Sequence, residues 1–192
     1  MLFRSMFPDR GCSPDLAEVN GSVLDGVTAL HVPMYSLTNG LLADTATRLI
    51  SEAHMRNILV SIDASSVSVL ENFGVTESLA LIDRLTPSVL LCNDDEARVL
   101  NLDSLPNGVG TLVVKRGSRP VQVFDSSGTR EFVVAPVEHV VDTTGAGDAF
   151  AAGFLTALVT THDLAVAVDA GHALAVRALS SPGATLGAME QR

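Results

Sequence analysis

The stretch DTTGAGDAF, residues 142–150, places a glycine-rich turn in front of a strongly apolar segment. Residues 137–141 before it are strand-like, and residues 146–159 predict a helix. Glycines at the mouth of a helix let backbone N–H groups converge on one point with no side chains in the way. Because a helix N-terminus also carries partial positive charge, the turn is predicted to bind an anion such as a phosphate.

Asp148 stands in the first turn of this predicted helix, where the helix dipole favours an ionised carboxylate. Such a carboxylate is suited to accept a proton from a hydroxyl group. The alternative interpretation is an ordinary Gly-rich turn in which Asp148 only stabilises the helix. The segment is neither a Gly-Lys-Ser/Thr phosphate loop nor a GxGxxG turn, because Phe150 occupies the third glycine position.

Apolar strands and helices alternate along the rest of the chain. We predict strands at 28–35, 57–63, 88–92 and 109–115, a hairpin at 121–124 and 130–134, and helices at 40–56, 76–85, 94–100 and 164–179. Because the strands lack polar alternation, the fold class is α/β, with a mostly parallel sheet covered on both faces. Ligands of such sheets bind beyond the carboxyl ends of the strands, here near Asp63, Asn93, residues 115–117 and Asp142.

The composition excludes several classes of protein. Of the 192 residues, 47% are hydrophobic and 18% are charged, which is too apolar for a disordered chain. The net charge of −10 argues against nucleic acids and anionic membranes as partners, since both bind basic surfaces. No apolar stretch approaches the ~20 residues of a membrane span, and the two cysteines indicate reduced thiols. A cytoplasmic protein is therefore expected.

These segments carry a resemblance to a known family. Residues 142–150, followed by Ala-Ala-Gly-Phe, look like the second signature of ribokinase/PfkB-type carbohydrate kinases. Other segments resemble the family in the same order: a mid-chain segment at 6–11, an Asn-x-x-Glu motif at 93–96, the strand and glycine before the nucleotide loop at 113–117, and the adenine and cation segments at 171–173 and 181–184. The resemblance implies a ribokinase-like three-layer α/β/α sandwich.

The resemblance also implies the chemistry of the glycine turn. Asp148 would be the base that deprotonates the hydroxyl group attacking the γ-phosphate of ATP. The backbone of Gly145, Ala146 and Gly147 would form the anion hole. Phosphoryl transfer depends mostly on positioning and charge stabilisation, so an anion hole, a base and Mg²⁺ are chemically sufficient.

The expected nucleotide and magnesium residues follow from the same resemblance. Asn93 and Glu96 would lie near the triphosphate, with Glu96 holding hydrated Mg²⁺ through water. The same two residues form the pattern of a capping box, which a helix uses without any ligand. Lys115 and Gly117 would lie against the nucleotide, the alternative for Lys115 being a surface lysine. His172 would lie by the adenine, the alternative being a core histidine.

A monovalent cation, K⁺, is the last cofactor that the resemblance implies. Its ligands would be Asp142 and Thr144, with backbone oxygens from around Ala178, Ser181 and Gly183. Not all members of the family use such an ion, and Asp142 equally suits a simple cap of the turn.

The front of the chain departs from the family pattern. The region with the sugar-binding glycines, the first signature and most of a small β-sheet lid has no counterpart here. We therefore expect one ribokinase-like domain over 1–192, corresponding to the C-terminal portion of a sugar kinase, with the N-terminal strands and the lid largely missing.

Two functional hypotheses stay open on the sequence. The first is an ATP-dependent phosphotransferase acting on a hydroxymethyl group of a sugar or sugar-like alcohol. The second is a non-catalytic nucleotide-binding fragment of such a kinase, regulatory or vestigial. A third class, an interaction module without nucleotide, is disfavoured by the 142–150 motif. The expected partners are ATP and a sugar-like small molecule, with homodimer formation left open.

Overall fold

The computed structural model describes residues 19–137 and 139–180. Within these ranges the elements are β1 (Ala29–Pro33), α1 (Gly40–Met55), β2 (Leu59–Asp63), α2 (Val67–Phe73), α3 (Val75–Leu85), β3 (Val89–Asn93), α4 (Asp94–Val99), β4 (Thr111–Lys115), β5 (Val121–Asp125), β6 (Gly128–Phe132), α5 (Ala146–Thr161) and α6 (Leu164–Leu179). None of these helices has the length and apolar character needed to cross a membrane.

One sheet holds the strands in their chain order, from β1 at one edge to β6 at the other. β1 to β4 pair in parallel, with His31 beside Ser61 and Asn93 beside Lys115. β5 and β6 are antiparallel additions to β4. Because the first four strands run the same way, their carboxyl ends meet at one edge of the sheet. The predicted mostly parallel sheet is confirmed.

Helices cover both faces of this sheet, which gives three layers. Leu90 of β3 belongs to the core cluster shared with α1, α2, α3 and α4, whereas Leu91 belongs to the cluster shared with α5 and α6. Successive residues of a strand point to opposite faces, so a strand covered on both sides has to be apolar throughout. Accordingly, every residue from Val89 to Cys92 is buried.

Most predicted elements are confirmed to within a few residues. The hairpin turns where the sequence places it, with Asp125 paired to Gly128 across the turn. The first predicted strand, 28–35, is shorter than expected because a 3₁₀ turn begins at Met34. The sequence does not predict α2, since Leu70 is the one buried residue of this seven-residue helix and no apolar periodicity marks it.

The strand-like interpretation of residues 137–141 is wrong. No strand is present at the described positions of this stretch, and Val140 and Val141 are 56% and 61% exposed. The N–H groups of Val141 and Asp142 donate instead to the carbonyl of Leu179 at the end of α6, at 2.8 and 3.3 Å. The turn before α5 is thereby attached to a helix end rather than to the sheet.

α5 and α6 pack against each other at backbone distance. A Cβ atom on Gly153 would lie 2.4 Å from the carbonyl oxygen of Ala170, and one on Gly171 would lie 2.9 Å from that of Phe150. Such distances leave no room for a side chain at either glycine. The two glycines therefore determine how closely the helices approach each other.

Replacing Gly153 by alanine is expected to destabilise the chain. Helix propensity by itself favours alanine by about 1 kcal/mol, but the added methyl group meets the Ala170 carbonyl, and overpacking of this kind costs about 1–3 kcal/mol. We expect a net decrease in the free energy of unfolding, measured by urea titration with circular dichroism. Ala152→Ser, on the exposed side of α5, is the control and should change little. A Gly153→Ala variant as stable as the wild type would contradict the close helix contact.

Candidate active site

The first turn of α5 meets the carboxyl edge of the parallel sheet. Lys115, the last residue of β4, places its Nζ atom 3.5 Å from the position that a Cβ atom on Gly147 would take. Asp63 and Asn93 end β2 and β3 at the same edge. The predicted anion-binding turn and three of the strand ends singled out in the sequence therefore lie together.

The glycine turn opens α5 as the sequence predicts. Gly145 precedes the helix with φ +79°, a left-handed conformation that favours glycine. The helix begins at Ala146. Within the turn, Asp142 Oδ1 accepts a hydrogen bond from the Thr144 N–H at 2.9 Å. Asp142 therefore caps the turn, which is one of the two roles that the sequence leaves open for it.

Asp148 lies in the first turn of α5 with its side chain exposed. Its charge acts on His31 of β1. Burial lowers the pKa of His31, and the carboxylates of Asp63 and Asp148 offset part of that effect. The Lys115 ammonium reinforces the lowering, and His31 Nδ1 contacts the Ser61 hydroxyl at 3.2 Å. Titratable groups from three strands and α5 are therefore close enough to influence one another.

Lys115 and Asp63 form an ion pair with an Nζ to Oδ2 distance of 2.8 Å. Their side chains are 16% and 13% exposed, so the pair is largely withdrawn from water. Burial lowers the pKa of Lys115, but the charge and hydrogen bond of Asp63 outweigh it, and the pKa lies above its usual value. The ammonium group is therefore charged at neutral pH, and Lys115 is not a surface lysine.

Asn93 and Glu96 form a complete capping box at the start of α4. Asn93 Oδ1 accepts from the Glu96 N–H at 2.9 Å, and the Glu96 carboxylate accepts from the Asn93 N–H and side-chain amide, each at 2.8 Å. Glu96 is 3% exposed. Burial raises the pKa of Glu96, although the Asn93 backbone hydrogen bond opposes this effect. The capping box that the sequence pattern predicts is therefore present. Each carboxylate oxygen of Glu96 still keeps a lone pair for a further donor.

Three further predicted site residues lie in the part of the chain that the structure describes. Gly117 lies in the exposed turn after β4 with φ +63°. His172 lies on α6, and its Nε2 atom is buried with no hydrogen-bond partner in the part of the chain that the structure describes. Ala178 is buried near the end of α6. Ser181 and Gly183, the other two predicted ligands of K⁺, lie outside the described residues.

Sequence reasoning does not find the Asp63–Lys115 pair or the contact of His31 with Ser61. Asp63 stands at a predicted strand end, but the pattern does not say which side chain it meets, because its partner is 52 residues away. The signal that could have singled it out is a carboxylate at the end of a buried apolar strand, since such groups are rarely buried unless paired.

Across residues 19–137 and 139–180, no group of three or more His, Cys, Asp or Glu side chains is arranged to hold a metal ion. The donors at the candidate site are single carboxylates such as Glu96. A single carboxylate fits Mg²⁺, which keeps several waters and binds through one or two carboxylates plus substrate phosphates.

Solved structures share this architecture. The chain is similar to adenosine kinase from Sinorhizobium meliloti with a TM-score of 0.79 and 20% identity, over 88% of this chain and 54% of that one. It is also similar to a ribokinase II from E. coli solved in complex with ATP and Mg²⁺, with a TM-score of 0.73 and 20% identity, over 88% of this chain and 57% of that one. The fold is therefore the ribokinase-like α/β fold, as the sequence predicts.

Sequence similarity identifies the family within this fold. The family model described as pfkB family carbohydrate kinase matches residues 79–192, more than half of the chain. Adenosine kinase from Saccharomyces cerevisiae is 39% identical over 75 residues, which is 38% of this chain and 22% of that protein. The chain belongs to the pfkB family of carbohydrate kinases. It spans little more than half of either solved relative.

Glu96→Gln is expected to change how stability depends on pH. Because the pKa of Glu96 is raised above the ordinary 4.5, the unfolded chain loses this proton at lower pH than the folded chain does. The free energy of unfolding therefore falls as pH rises through this interval, and glutamine removes that loss because it does not titrate. We expect the stability of the variant, relative to the wild type, to increase as pH rises above the ordinary pKa of a glutamate.

The measurement is urea unfolding across one buffer series. Glutamine also loses one hydrogen bond of the capping box, which lowers stability at every pH, so the slope and not the level is the readout. Glu71→Gln, at an exposed position of α2, is the control and should follow the wild-type pH profile. If the stability of Glu96→Gln relative to the wild type stays constant or falls as pH rises, burial does not raise the pKa of Glu96.

Proposed function

We propose that the chain carries the nucleotide-binding and base-bearing part of an ATP-dependent kinase that phosphorylates a hydroxymethyl group of a sugar or sugar-like alcohol. The observation that carries the proposal is the left-handed turn at Gly145 that opens α5 with Asp148 in its first turn, in a chain of the pfkB family. The adenosine kinases to which the chain is similar are named for a nucleoside whose ribose presents such a group.

Asp148 would accept the proton of the attacking hydroxyl group. Its exposure leaves the carboxylate accessible to a substrate hydroxyl group, as a general base has to be. The N–H groups of Gly145, Ala146 and Gly147 would stabilise the charge on the transferred phosphoryl group. The Ala146 N–H donates to the Thr143 carbonyl at a long 3.3 Å, so a bound anion would replace a weak hydrogen bond there.

Glu96 is the residue proposed to hold Mg²⁺, through water. Its two oxygen atoms each keep a lone pair beyond the capping box, and one carboxylate with bound waters is a donor set that Mg²⁺ accepts. When bound, the ion supplies neutralisation of the triphosphate charge. Asn93 contributes by fixing the orientation of the Glu96 carboxylate through two hydrogen bonds.

His172 and Gly117 are the residues proposed to receive the nucleoside end of ATP. The buried Nε2 atom of His172 lacks a partner among the described residues, and a polar atom of a bound base would satisfy it. At Gly117, the position that a Cβ atom would take has no described atom within 4 Å, which leaves space beside the backbone of the turn after β4. The unpartnered Nε2 atom supports the nucleotide assignment of His172, whereas the space beside Gly117 is equally that of an ordinary exposed turn.

The K⁺ site stays a prediction. Asp142 and Thr144 lie next to the end of α6, because the Asp142 N–H donates to the Leu179 carbonyl. Ser181 and Gly183, which would complete the site, fall outside the described residues. A K⁺ ion there would lie beside the turn that forms the proposed anion hole and would add positive charge to it.

A non-catalytic nucleotide-binding part of such a kinase is the second candidate function. Both candidates share the nucleotide contacts and differ in turnover. The experiment that separates them therefore has to measure binding and turnover on the same sample.

Asp148→Asn is expected to abolish acceptor-dependent ADP release while leaving Mg·ATP binding intact. A general base contributes roughly 10²–10⁴-fold to such a reaction, so we expect a loss of at least about 100-fold in kcat. Binding is measured as the rise in Tm on addition of Mg·ATP, and turnover as ADP release with ribose or adenosine as acceptor.

Asp169→Asn, at an exposed position of α6, is the matched control and should behave as the wild type in both assays. Unchanged turnover in Asp148→Asn would exclude Asp148 as the base. A wild-type chain that is stabilised by Mg·ATP but releases no acceptor-dependent ADP would favour the non-catalytic candidate. A wild-type chain with no response to Mg·ATP would contradict both.

A further inference from the structure

The ion pair of Asp63 and Lys115 is not explained by the stability of the sheet. The two residues end β2 and β4 and reach across the end of β3, which lies between those strands. The neighbouring positions Leu91 and Val113 on this face are fully buried and apolar. A buried ion pair in such surroundings contributes little net stability, because desolvation of both charges offsets their attraction.

The position of the ammonium group is also unusual for a helix terminus. Lys115 Nζ lies 3.5 Å from the place of a Cβ atom on Gly147, beside the first turn of α5. Cations are normally favoured at the C-terminal end of a helix and disfavoured at the N-terminal end. A buried cation held beside a helix N-terminus is favourable when an anion binds between them.

We propose that Lys115 donates a hydrogen bond to the γ-phosphoryl group of bound ATP, and that Asp63 is the positioning residue that aims the Lys115 ammonium at it. The inference rests on the proposed function, which places the transferred group at the Gly145–Gly147 turn. An ammonium group has three N–H donors, and Asp63 accepts one of them. The remaining donors are available to a phosphate, and Asp63 keeps the flexible side chain against Gly147 before ATP arrives.

The charge state of the pair agrees with this role. The Asp63 carboxylate keeps the pKa of Lys115 above its usual value in spite of burial, so the side chain is a charged hydrogen-bond donor at neutral pH. Lys115 therefore acts as a fixed positive charge, while Asp148 handles the proton. On the β1 side, His31 contacts Ser61, which precedes Asp63 by two residues in β2, and the charge of Asp63 acts on the His31 ring.

The test compares the dissociation constants of Mg·ATP and Mg·ADP, measured by isothermal titration calorimetry on the full chain. Only ATP carries the γ-phosphate, so the ratio of the two constants isolates the proposed contact. Lys115→Met is expected to weaken ATP binding by roughly 10–100-fold, the range for a lost hydrogen bond between charged groups, and to leave ADP binding nearly unchanged. Lys115→Arg, which keeps the charge, should retain most of the preference for ATP.

Two further variants separate the proposed role from a structural one. Asp63→Asn should lower the preference for ATP in part, because it leaves Lys115 charged but less well held. The double variant Asp63→Asn/Lys115→Met removes both charges, avoids an unpaired buried carboxylate and should lose the preference as fully as Lys115→Met. Arg130→Met breaks a different ion pair, with Asp125 on the β5–β6 hairpin, and should bind both nucleotides as the wild type does.

Three results would overturn the inference. Equal affinity of the wild type for the two nucleotides would show that no residue contacts the γ-phosphate. A wild-type preference for ATP that survives in Lys115→Met, or in the double variant, would show that Lys115 is not the contact. Both results leave the proposed function standing. A wild type that binds neither nucleotide would instead overturn the proposed function and this inference together.

Discussion

Parallel pairing of β1 to β4 is the constraint on which the site depends. Strands that run the same way bring their carboxyl ends to one edge, and at that edge the chain carries Asp63, Asn93 and Lys115 in place of the apolar residues of the strand interiors. An antiparallel arrangement would divide these groups between opposite edges of the sheet. The ion pair and the contact with α5 both require this common edge.

The second requirement is that α5 begins over the same edge. Its packing on α6 through Gly153 and Gly171 allows the two helices to lie at backbone distance, and the turn before α5 is attached to the end of α6 through the Leu179 carbonyl. The glycine turn is thus positioned by the helical layer, while Lys115 is positioned by the sheet. Their meeting at Gly147 is a contact between two layers that neither layer determines by itself.

The sequence predicts those parts of the molecule that depend on local pattern. The α/β class, the hairpin at Asp125–Gly128 and the turn with Asp148 follow from apolar runs and glycine spacing. The strand prediction at Val140 and Val141 is wrong, because β-branched residues give the same sequence pattern in a sheet strand and in an exposed segment. The ion pair of Asp63 could not be predicted, since it depends on which strands become neighbours.

The local interpretations of Asn93, Glu96 and Asp142 do not compete with the functional ones. A capping box needs one lone pair from each Glu96 oxygen, and an exposed glutamate would supply it without loss. Here the glutamate is buried and its pKa is raised, so helix capping does not account for its burial. The same holds for Lys115 and Asp63, whose desolvation the sheet does not need. Groups kept at an energetic disadvantage at one edge of a sheet are typical of sites that bind a ligand.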